Sequence, residues 1–124
     1  MLFCTAINCI DGRTQLPVIE YLKKRFNVEY VDMVTEPGPN LLLAKGEDTF
    51  KLESVISRCD ISVEKHLSSG IAIVGHYDCA GNPAPKEEQL KHIEQAIAFL
   101  NERYKNEEVI GLWLDSDFKV HEQA

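Results

Sequence analysis

Short apolar runs alternate along the chain with longer stretches in which apolar residues recur at helical spacing. Continuous apolar character is typical of strands that are buried on both faces, and strict alternation is typical of half-buried strands. These patterns predict strands at 2–7, 28–34, 71–75 and 109–114, and the segment FKVHE predicts a short edge strand near the end. The strands are therefore separated by segments long enough to hold helices.

In the segments between the strands, apolar residues recur at helical spacing. Helices are predicted over 16–26, from Asp48 to about Leu67, and over 87–104. Pro17 suits a first helical turn, Asp48 is a candidate cap, and Gly70 is expected to stop the second helix. The segment EPGPN, 36–40, has turn chemistry. The two longer helices each carry an apolar stripe: Leu52, Val55, Ile56, Cys59 and Val63 on one, and Leu90, Ile93, Ile97, Leu100 and Tyr104 on the other.

Alternating strands and helices predict an α/β fold. We expect a single three-layer domain over residues 1–124, with a mainly parallel β-sheet of four or five strands flanked by helices on both sides. In such sheets, functional sites form beyond the carboxyl ends of the strands.

Composition narrows the possible functions. Hydrophobic residues make up 44% of the 124 positions, and the net charge of −7 argues against binding to nucleic acid. The chain has no apolar run near the ~20 residues that a membrane span requires, and no basic segment typical of a signal peptide precedes the first strand. Four cysteines without an export signal favour reduced thiols in the cytoplasm.

Candidate chemistry lies just after two of the predicted strands. CIDGR comes after the first strand and HYDCAG after the third, so Cys9, His76 and Cys79 are expected to meet at one edge of the sheet. Two thiolates and one imidazole make a good ligand set for Zn²⁺ and leave the fourth position open, as in catalytic sites. Zinc acidifies a bound water. Asp11 can accept a hydrogen bond from that water, and Arg13 can hold Asp11 by a two-point contact.

The pattern C-x-D-x-R after a first strand, with H-x-x-C after a later apolar strand, resembles the β-class carbonic anhydrases. The resemblance implies zinc ligands at Cys9, His76 and Cys79 and a catalytic Asp11–Arg13 dyad. It implies hydration of carbon dioxide to bicarbonate by zinc-bound hydroxide. In that family the Asp can also bind zinc and close the site. The resemblance further implies a homodimer, formed partly by apolar surface near the first helix and the sheet edge.

The chain departs from the family pattern at several points. Gly12 stands where the family commonly has serine, and Ala80 replaces the glycine that usually comes after the second cysteine. Larger members of the family carry a helical arm ahead of the first strand, and we expect this chain to lack it, because the sequence begins almost directly at that strand. For an apolar wall beside carbon dioxide, Phe3 and Tyr77 are the candidates.

Alternatives to this interpretation stay open. The protein could act on carbon disulfide or carbonyl sulfide, or it could keep zinc without catalysis, for stability or sensing. Asp11 and Arg13 could form a surface ion pair of small energy. We expect Cys4 and Cys59 to be core residues. Three histidines lack ligand spacing and are expected to be solvated or capping residues: His66, His92 and His121.

Overall fold

A five-stranded sheet forms the centre of the protein. The computed structural model describes residues 2–123, in which the strands are β1 (Phe3–Cys9), β2 (Tyr30–Glu36), β3 (Gly70–His76), β4 (Glu108–Leu114) and β5 (Val120–Gln123). Their order in the sheet is β2-β1-β3-β4-β5. The first four strands are parallel, and β5 pairs antiparallel with β4 at the edge. The predicted fold class and the predicted edge strand are therefore confirmed.

Helices cover both faces of the sheet and give the three predicted layers. They are α1 (Gln15–Arg25), α2 (Pro39–Lys45), α3 (Thr49–Glu64) and α4 (Lys86–Arg103), with a short 3-10 helix at Gly12–Thr14. Val18 and Leu22 of α1 pack against one face, and residues of the other three helices pack against the opposite face. Within residues 2–123, no helix has both the length and the apolar character that crossing a membrane requires.

Strand β1 contributes to both cores, as its continuous apolar run predicts. Ile7 packs in the core beneath α3 and α4, whereas Cys4 and Ala6 pack in the core beneath α1. The apolar stripes predicted for the two long helices also face the core. Burial of apolar side chains, the main favourable contribution to folding, thus holds the helices on both faces of the sheet.

The structure refines the predictions for the middle of the chain: a turn forms at residues 37–38 as predicted, but a helix that was not predicted comes directly after it. Within the predicted turn segment 36–40, Gly38 adopts a left-handed conformation (φ 56°), and Pro39 then starts α2. Helix α3 ends at Glu64 rather than near Leu67, and Gly70 is the first residue of β3 rather than a helix stop. The Asp48 cap is confirmed, since its side chain accepts a hydrogen bond from the Lys51 N–H.

The order of the strands creates a switch point between β1 and β3. From β1 the chain passes through α1 to β2 on one side, and then crosses to β3 on the other side of β1. Connections that leave two neighbouring strands in opposite directions open a crevice beyond their carboxyl ends, where ligands bind in α/β sheets. Cys9 ends β1 and His76 ends β3 at this crevice.

Candidate metal centre

The three predicted ligands lie together. The Sγ atoms of Cys9 and Cys79 and a ring nitrogen of His76 all lie within 4.8 Å of one another. The two sulfur atoms are 3.8 Å apart. All three side chains are buried, with exposed fractions of 3% for Cys9, 1% for His76 and 4% for Cys79. The cluster could therefore hold a metal ion.

The orientation of the His76 ring supports a ligand role. The Tyr77 carbonyl oxygen lies 2.7 Å from Nδ1, so Nδ1 carries the proton and donates a hydrogen bond to that oxygen. The other nitrogen, Nε2, is buried and finds no hydrogen-bond partner among residues 2–123. Buried polar atoms are normally paired. A metal ion is one partner that would satisfy this nitrogen, and a backbone carbonyl on Nδ1 is a common way of orienting a histidine ligand.

The surroundings of the thiols favour loss of a proton. The hydrogen bond from Cys79 lowers the pKa of Cys9 against the effect of burial, with backbone N–H groups of Gly38 and Asp11 contributing. The same hydrogen bond, together with burial, raises the pKa of Cys79. Burial lowers the pKa of His76, but the Cys9 sulfur, the Tyr77 carbonyl and the Asp11 carboxylate together outweigh it and raise that pKa overall. The pair thus gives up a first proton readily, and a cation would be needed to remove the second.

Asp11 and Arg13 form a two-point ion pair at the edge of the cluster. Arg13 donates from Nη2 to Asp11 Oδ2 at 2.7 Å and from Nε to Oδ1 at 3.1 Å. These hydrogen bonds lower the pKa of Asp11 to about 2. Asp11 Oδ2 lies 4.0 Å from His76 Nε2. An ionised carboxylate is therefore held beside the cluster with both of its oxygens engaged by Arg13.

Arg13 also contacts the loop that carries Cys79. Its Nη2 donates to the Asp78 carbonyl oxygen at 3.1 Å, and its guanidinium lies over the Phe118 ring, 4.6 Å from the centroid. The Phe118 ring centroid is 6.0 Å from that of His76. Neither Asp78 nor Phe118 was predicted from the sequence to be a site residue. Asp78 could have been noted because it precedes Cys79, whereas no local pattern marks Phe118.

Local hydrogen bonds fix the turn after β1. The Asp11 side chain accepts a hydrogen bond from the Arg13 N–H at 2.9 Å, which starts the 3-10 helix. Gln15 Nε2 donates to the Cys9 carbonyl oxygen at 2.7 Å. These bonds explain why Cys, Asp and Arg are separated by single residues: the strand ends at the thiol, and a tight turn brings the carboxylate and guanidinium back beside it.

The loop after β3 lies against the turn between β2 and α2. A Cβ atom on Gly81 would lie 2.4 Å from the Pro37 carbonyl carbon and 2.6 Å from the Gly38 nitrogen. Those distances are shorter than any real Cβ contact, so glycine is required at position 81. The Gly38 backbone also hydrogen-bonds the Cys9 sulfur and the Gly81 backbone the Cys79 sulfur, so both segments lie against the cluster.

Other predicted residues have mixed outcomes. Phe3 does not border the site, because it begins β1 and packs on Tyr30 and His66 at the opposite end of the strand. Tyr77 is next to His76 and is 52% exposed. His92 is buried rather than solvated. His66 and His121 are exposed, as expected, and contact the carboxylates of Asp32 and Asp115.

Cys4 and Cys59 are confirmed as core residues. Both are fully buried, in opposite cores. Burial raises the pKa of each thiol to about 12. They are therefore inert thiols, in contrast to the pair at the strand ends.

Comparison with known proteins identifies relatives of the chain. A family model described as "Putative carbonic anhydrase" matches residues 1–123. The structure of a carbonic anhydrase from Streptococcus mutans is similar, with a TM-score of 0.66 and 17% identity over 96% of this chain and 80% of that one. No curated protein sequence matches the chain.

Two fungal structures are similar as well. Tetrameric β-carbonic anhydrases of Sordaria macrospora align with a TM-score of 0.59 and 15% identity, over 98% of this chain and 80% of theirs. A carbonic anhydrase from Glaciozyma antarctica aligns with a TM-score of 0.57 and 12% identity, over 98% of this chain and 81% of that one. At these identities the likeness concerns the fold.

Proposed function

The chain belongs to the carbonic anhydrase family whose model spans it, and from that premise we propose that it catalyses zinc-dependent hydration of carbon dioxide to bicarbonate. In this proposal Cys9, His76 and Cys79 hold the zinc ion. The observation that carries it is the buried Nε2 of His76, which lies beside two thiols and has no hydrogen-bond partner among residues 2–123. A histidine that only filled the core would be expected to have both ring nitrogens paired.

The dimensions of the cluster suit zinc. Tetrahedral zinc with Zn–S bonds of about 2.3 Å separates two thiolate ligands by about 3.8 Å. The sulfur atoms of Cys9 and Cys79 are 3.8 Å apart, the separation that such a zinc ion would require. The ligand types also favour zinc. Thiolates and imidazole bind zinc well, whereas magnesium and calcium take oxygen ligands.

Asp11 and Arg13 supply the remaining chemistry. When bound, zinc acts as a Lewis acid that makes water a stronger acid near neutral pH. Asp11, held ionised by Arg13, can only accept hydrogen bonds, so it would orient the reacting water with an O–H toward itself and a lone pair toward carbon dioxide. Arg13 prevents rotation of the carboxylate. A structural metal site would have no need of such a pair.

We further propose that the protein works as a homodimer in the cytoplasm. Ile10 and Tyr77 come directly after β1 and β3, Leu16 lies in the first turn of α1, and the three residues are 64%, 52% and 67% exposed, respectively. A second copy that covered these apolar side chains would reduce their contact with water. Light scattering over a wide concentration range tests the assembly, and a constant monomer mass would overturn it.

A stopped-flow assay of carbon dioxide hydration tests the enzymatic proposal. Zinc-loaded protein is expected to exceed both chelator-treated protein and an equal concentration of free zinc, between about pH 7 and 9. A rate no higher than that of free zinc, at full zinc occupancy, would contradict it. The same protein would then be assayed with carbon disulfide and carbonyl sulfide, and inactivity there would favour a non-catalytic zinc protein.

A further inference from the structure

Three buried amide side chains lie behind the metal cluster. Asn40 belongs to α2, Asn82 to the loop after β3, and Gln89 to α4, and each is 1% exposed. We call these residues the amide cluster. Burying an amide without partners costs a few kcal/mol, so a group of three requires a connected set of hydrogen bonds.

Gln89 hydrogen-bonds the backbone on both sides of Cys79, in the segment 76–84 that carries two of the proposed ligands. Its Nε2 lies 2.9 Å from the His76 carbonyl oxygen, 3.1 Å from that of Asn82 and 3.2 Å from that of Ala84. The first of these carbonyls belongs to a proposed ligand, and the other two come after Cys79 in the chain. One side chain on a rigid helix therefore fixes the loop on both sides of Cys79.

The remaining hydrogen bonds fix the orientation of Gln89 itself. Asn40 Nδ2 donates to Gln89 Oε1 at 3.2 Å, and Asn82 Nδ2 donates to Asn40 Oδ1 at 3.2 Å. Asn82 Nδ2 also lies 3.0 Å from His92 Nδ1. Burial lowers the pKa of His92 and so favours its neutral ring. Because Nδ1 faces the Asn82 NH₂ group, which can only donate, Nδ1 accepts this hydrogen bond. Each amide is thus held in one orientation, and Gln89 must present its NH₂ group to the loop.

The strand beneath the amide cluster leaves space for it. A Cβ atom on Gly75 would lie 2.6 Å from Asn40 Nδ2 and 3.0 Å from Gln89 Oε1. Any larger residue directly before His76 would push these two amides apart. Glycine at position 75, directly before the proposed ligand His76, therefore leaves the room that the Asn40 and Gln89 side chains occupy.

We infer that Gln89 is a positioning residue for the metal centre, holding His76 and Cys79 at the separation from Cys9 that one zinc ion requires. This inference rests on the proposed function, since it takes those three residues as ligands. Gln89 does not contact the ligand atoms. It acts through the His76 carbonyl and the backbone that comes after Cys79.

The test replaces Gln89 by a residue of similar shape without hydrogen-bonding groups. Gln89→Met keeps an unbranched chain of similar volume. We expect zinc affinity to fall by about tenfold to a hundredfold, the range typical when the outer partners of ligands are lost. With Co²⁺ as the probe, the thiolate charge-transfer bands and visible bands are expected to shift, because the ligand geometry changes.

Two controls separate positioning from general stability. Gln95→Met changes an exposed residue of the same helix and is expected to leave both measurements unchanged. Leu100→Ala empties part of the core far along α4 and is expected to lower the melting temperature without shifting the Co²⁺ spectrum. If Gln89→Met does not fold, Asn40→Ala, which removes the group that orients Gln89, is expected to shift the spectrum in its place.

The outcomes distinguish this inference from the proposed function. Wild-type zinc affinity and an unaltered Co²⁺ spectrum in Gln89→Met would overturn the inference and leave the proposed zinc site intact. A loss of zinc affinity in Gln89→Met that leaves the Co²⁺ spectrum unaltered would assign Gln89 to stability alone and overturn the inference too. A wild-type protein that binds neither metal would overturn both.

Discussion

The sulfur atoms of Cys9 and Cys79 lie 3.8 Å apart although 70 positions separate the two residues in the chain. Pairing of β1 with β3 brings them together, since both strands end in the same crevice of the sheet. We predict about one zinc ion per chain after reconstitution. Cys9→Ser and Cys79→Ser are each expected to abolish this binding, because a serine hydroxyl does not ionise to replace a thiolate. Metal analysis after gel filtration measures the result.

Cys59→Ala is the matched control for these two variants. It removes a fully buried thiol in the core beneath α3, away from the crevice. It is expected to keep the full zinc content while losing some stability. Equal zinc content in Cys9→Ser and wild type would contradict the assignment of this ligand.

Much of this site could be predicted from the sequence alone, because parallel strands bring motifs at their carboxyl ends to one edge. That rule places Cys9 and His76 together without any knowledge of the loops. The positions of Gln89 and Phe118 depend on how α4 and the segment after β4 return to that edge. Neither carries a local signal, since a glutamine in a helix is ordinarily solvated and a phenylalanine is ordinarily core.

The missed helix α2 has a similar explanation. EPGPN contains strong turn residues, and a turn does form at Gly38. Packing then decides that the chain after Gly38 is helical, because Leu43 is buried beneath the sheet and Asn40 joins the amide cluster. The helix is seven residues long, too short to be stable alone or to show a clear period.

Removing zinc is predicted to destabilise the protein without unfolding it. Both apolar cores are built from residues outside the metal cluster, so the apoprotein retains its main stabilising contacts. A ligand present at roughly a hundred times its Kd stabilises by about 2.7 kcal/mol, so chelation is expected to lower the melting temperature measurably. Circular dichroism with and without chelator measures both effects. A random-coil spectrum of the apoprotein at room temperature would show that the metal is required for folding.

Glu122 is predicted to contribute stability that disappears in acid. Arg25 Nε lies 2.9 Å from Glu122 Oε1, joining α1 to the edge strand β5. The hydrogen bond from Arg25 lowers the pKa of Glu122, despite partial burial. Because the folded-state pKa lies below the unfolded one, the contribution is present above about pH 4.3 and is lost as pH falls through the folded-state value.

The variant Glu122→Gln tests this dependence. It is expected to lower the free energy of unfolding by at most about 1 kcal/mol near neutral pH, since the pair is partly solvated. The difference from wild type is expected to close as the pH falls below about 4. Glu94→Gln, at an exposed position of α4, is the control for the loss of one surface carboxylate and is expected to change the free energy of unfolding near neutral pH by less. Urea titrations at several pH values measure the free energy of unfolding of each protein. A difference between Glu122→Gln and wild type that grew in acid would contradict the prediction.

Arg13→Ala is predicted to keep zinc and lose activity by an indirect route. Without the guanidinium, the Asp11 carboxylate loses the hydrogen bonds that Arg13 donates to both of its oxygens. Its Oδ2 lies only 4.0 Å from His76 Nε2, so the freed carboxylate can turn toward the metal. Binding of Asp11 there would occupy the position that water needs. The Co²⁺ spectrum is expected to change on this substitution, and an unchanged spectrum with full activity would contradict a role for Arg13.

Asp11→Asn is predicted to keep zinc while losing about a hundredfold or more of the hydration rate, the loss expected for one oriented catalytic group. Three ligands remain, so metal content should not change. The amide has no negative charge and can present an N–H where the water needs an acceptor. Asp78→Asn is the control, because Asp78 also faces Arg13 but lies 69% exposed at the rim. It is expected to retain most of the activity. Equal rates for Asp11→Asn and wild type, at equal zinc content, would exclude Asp11 from the reaction and leave the surface ion pair as its role.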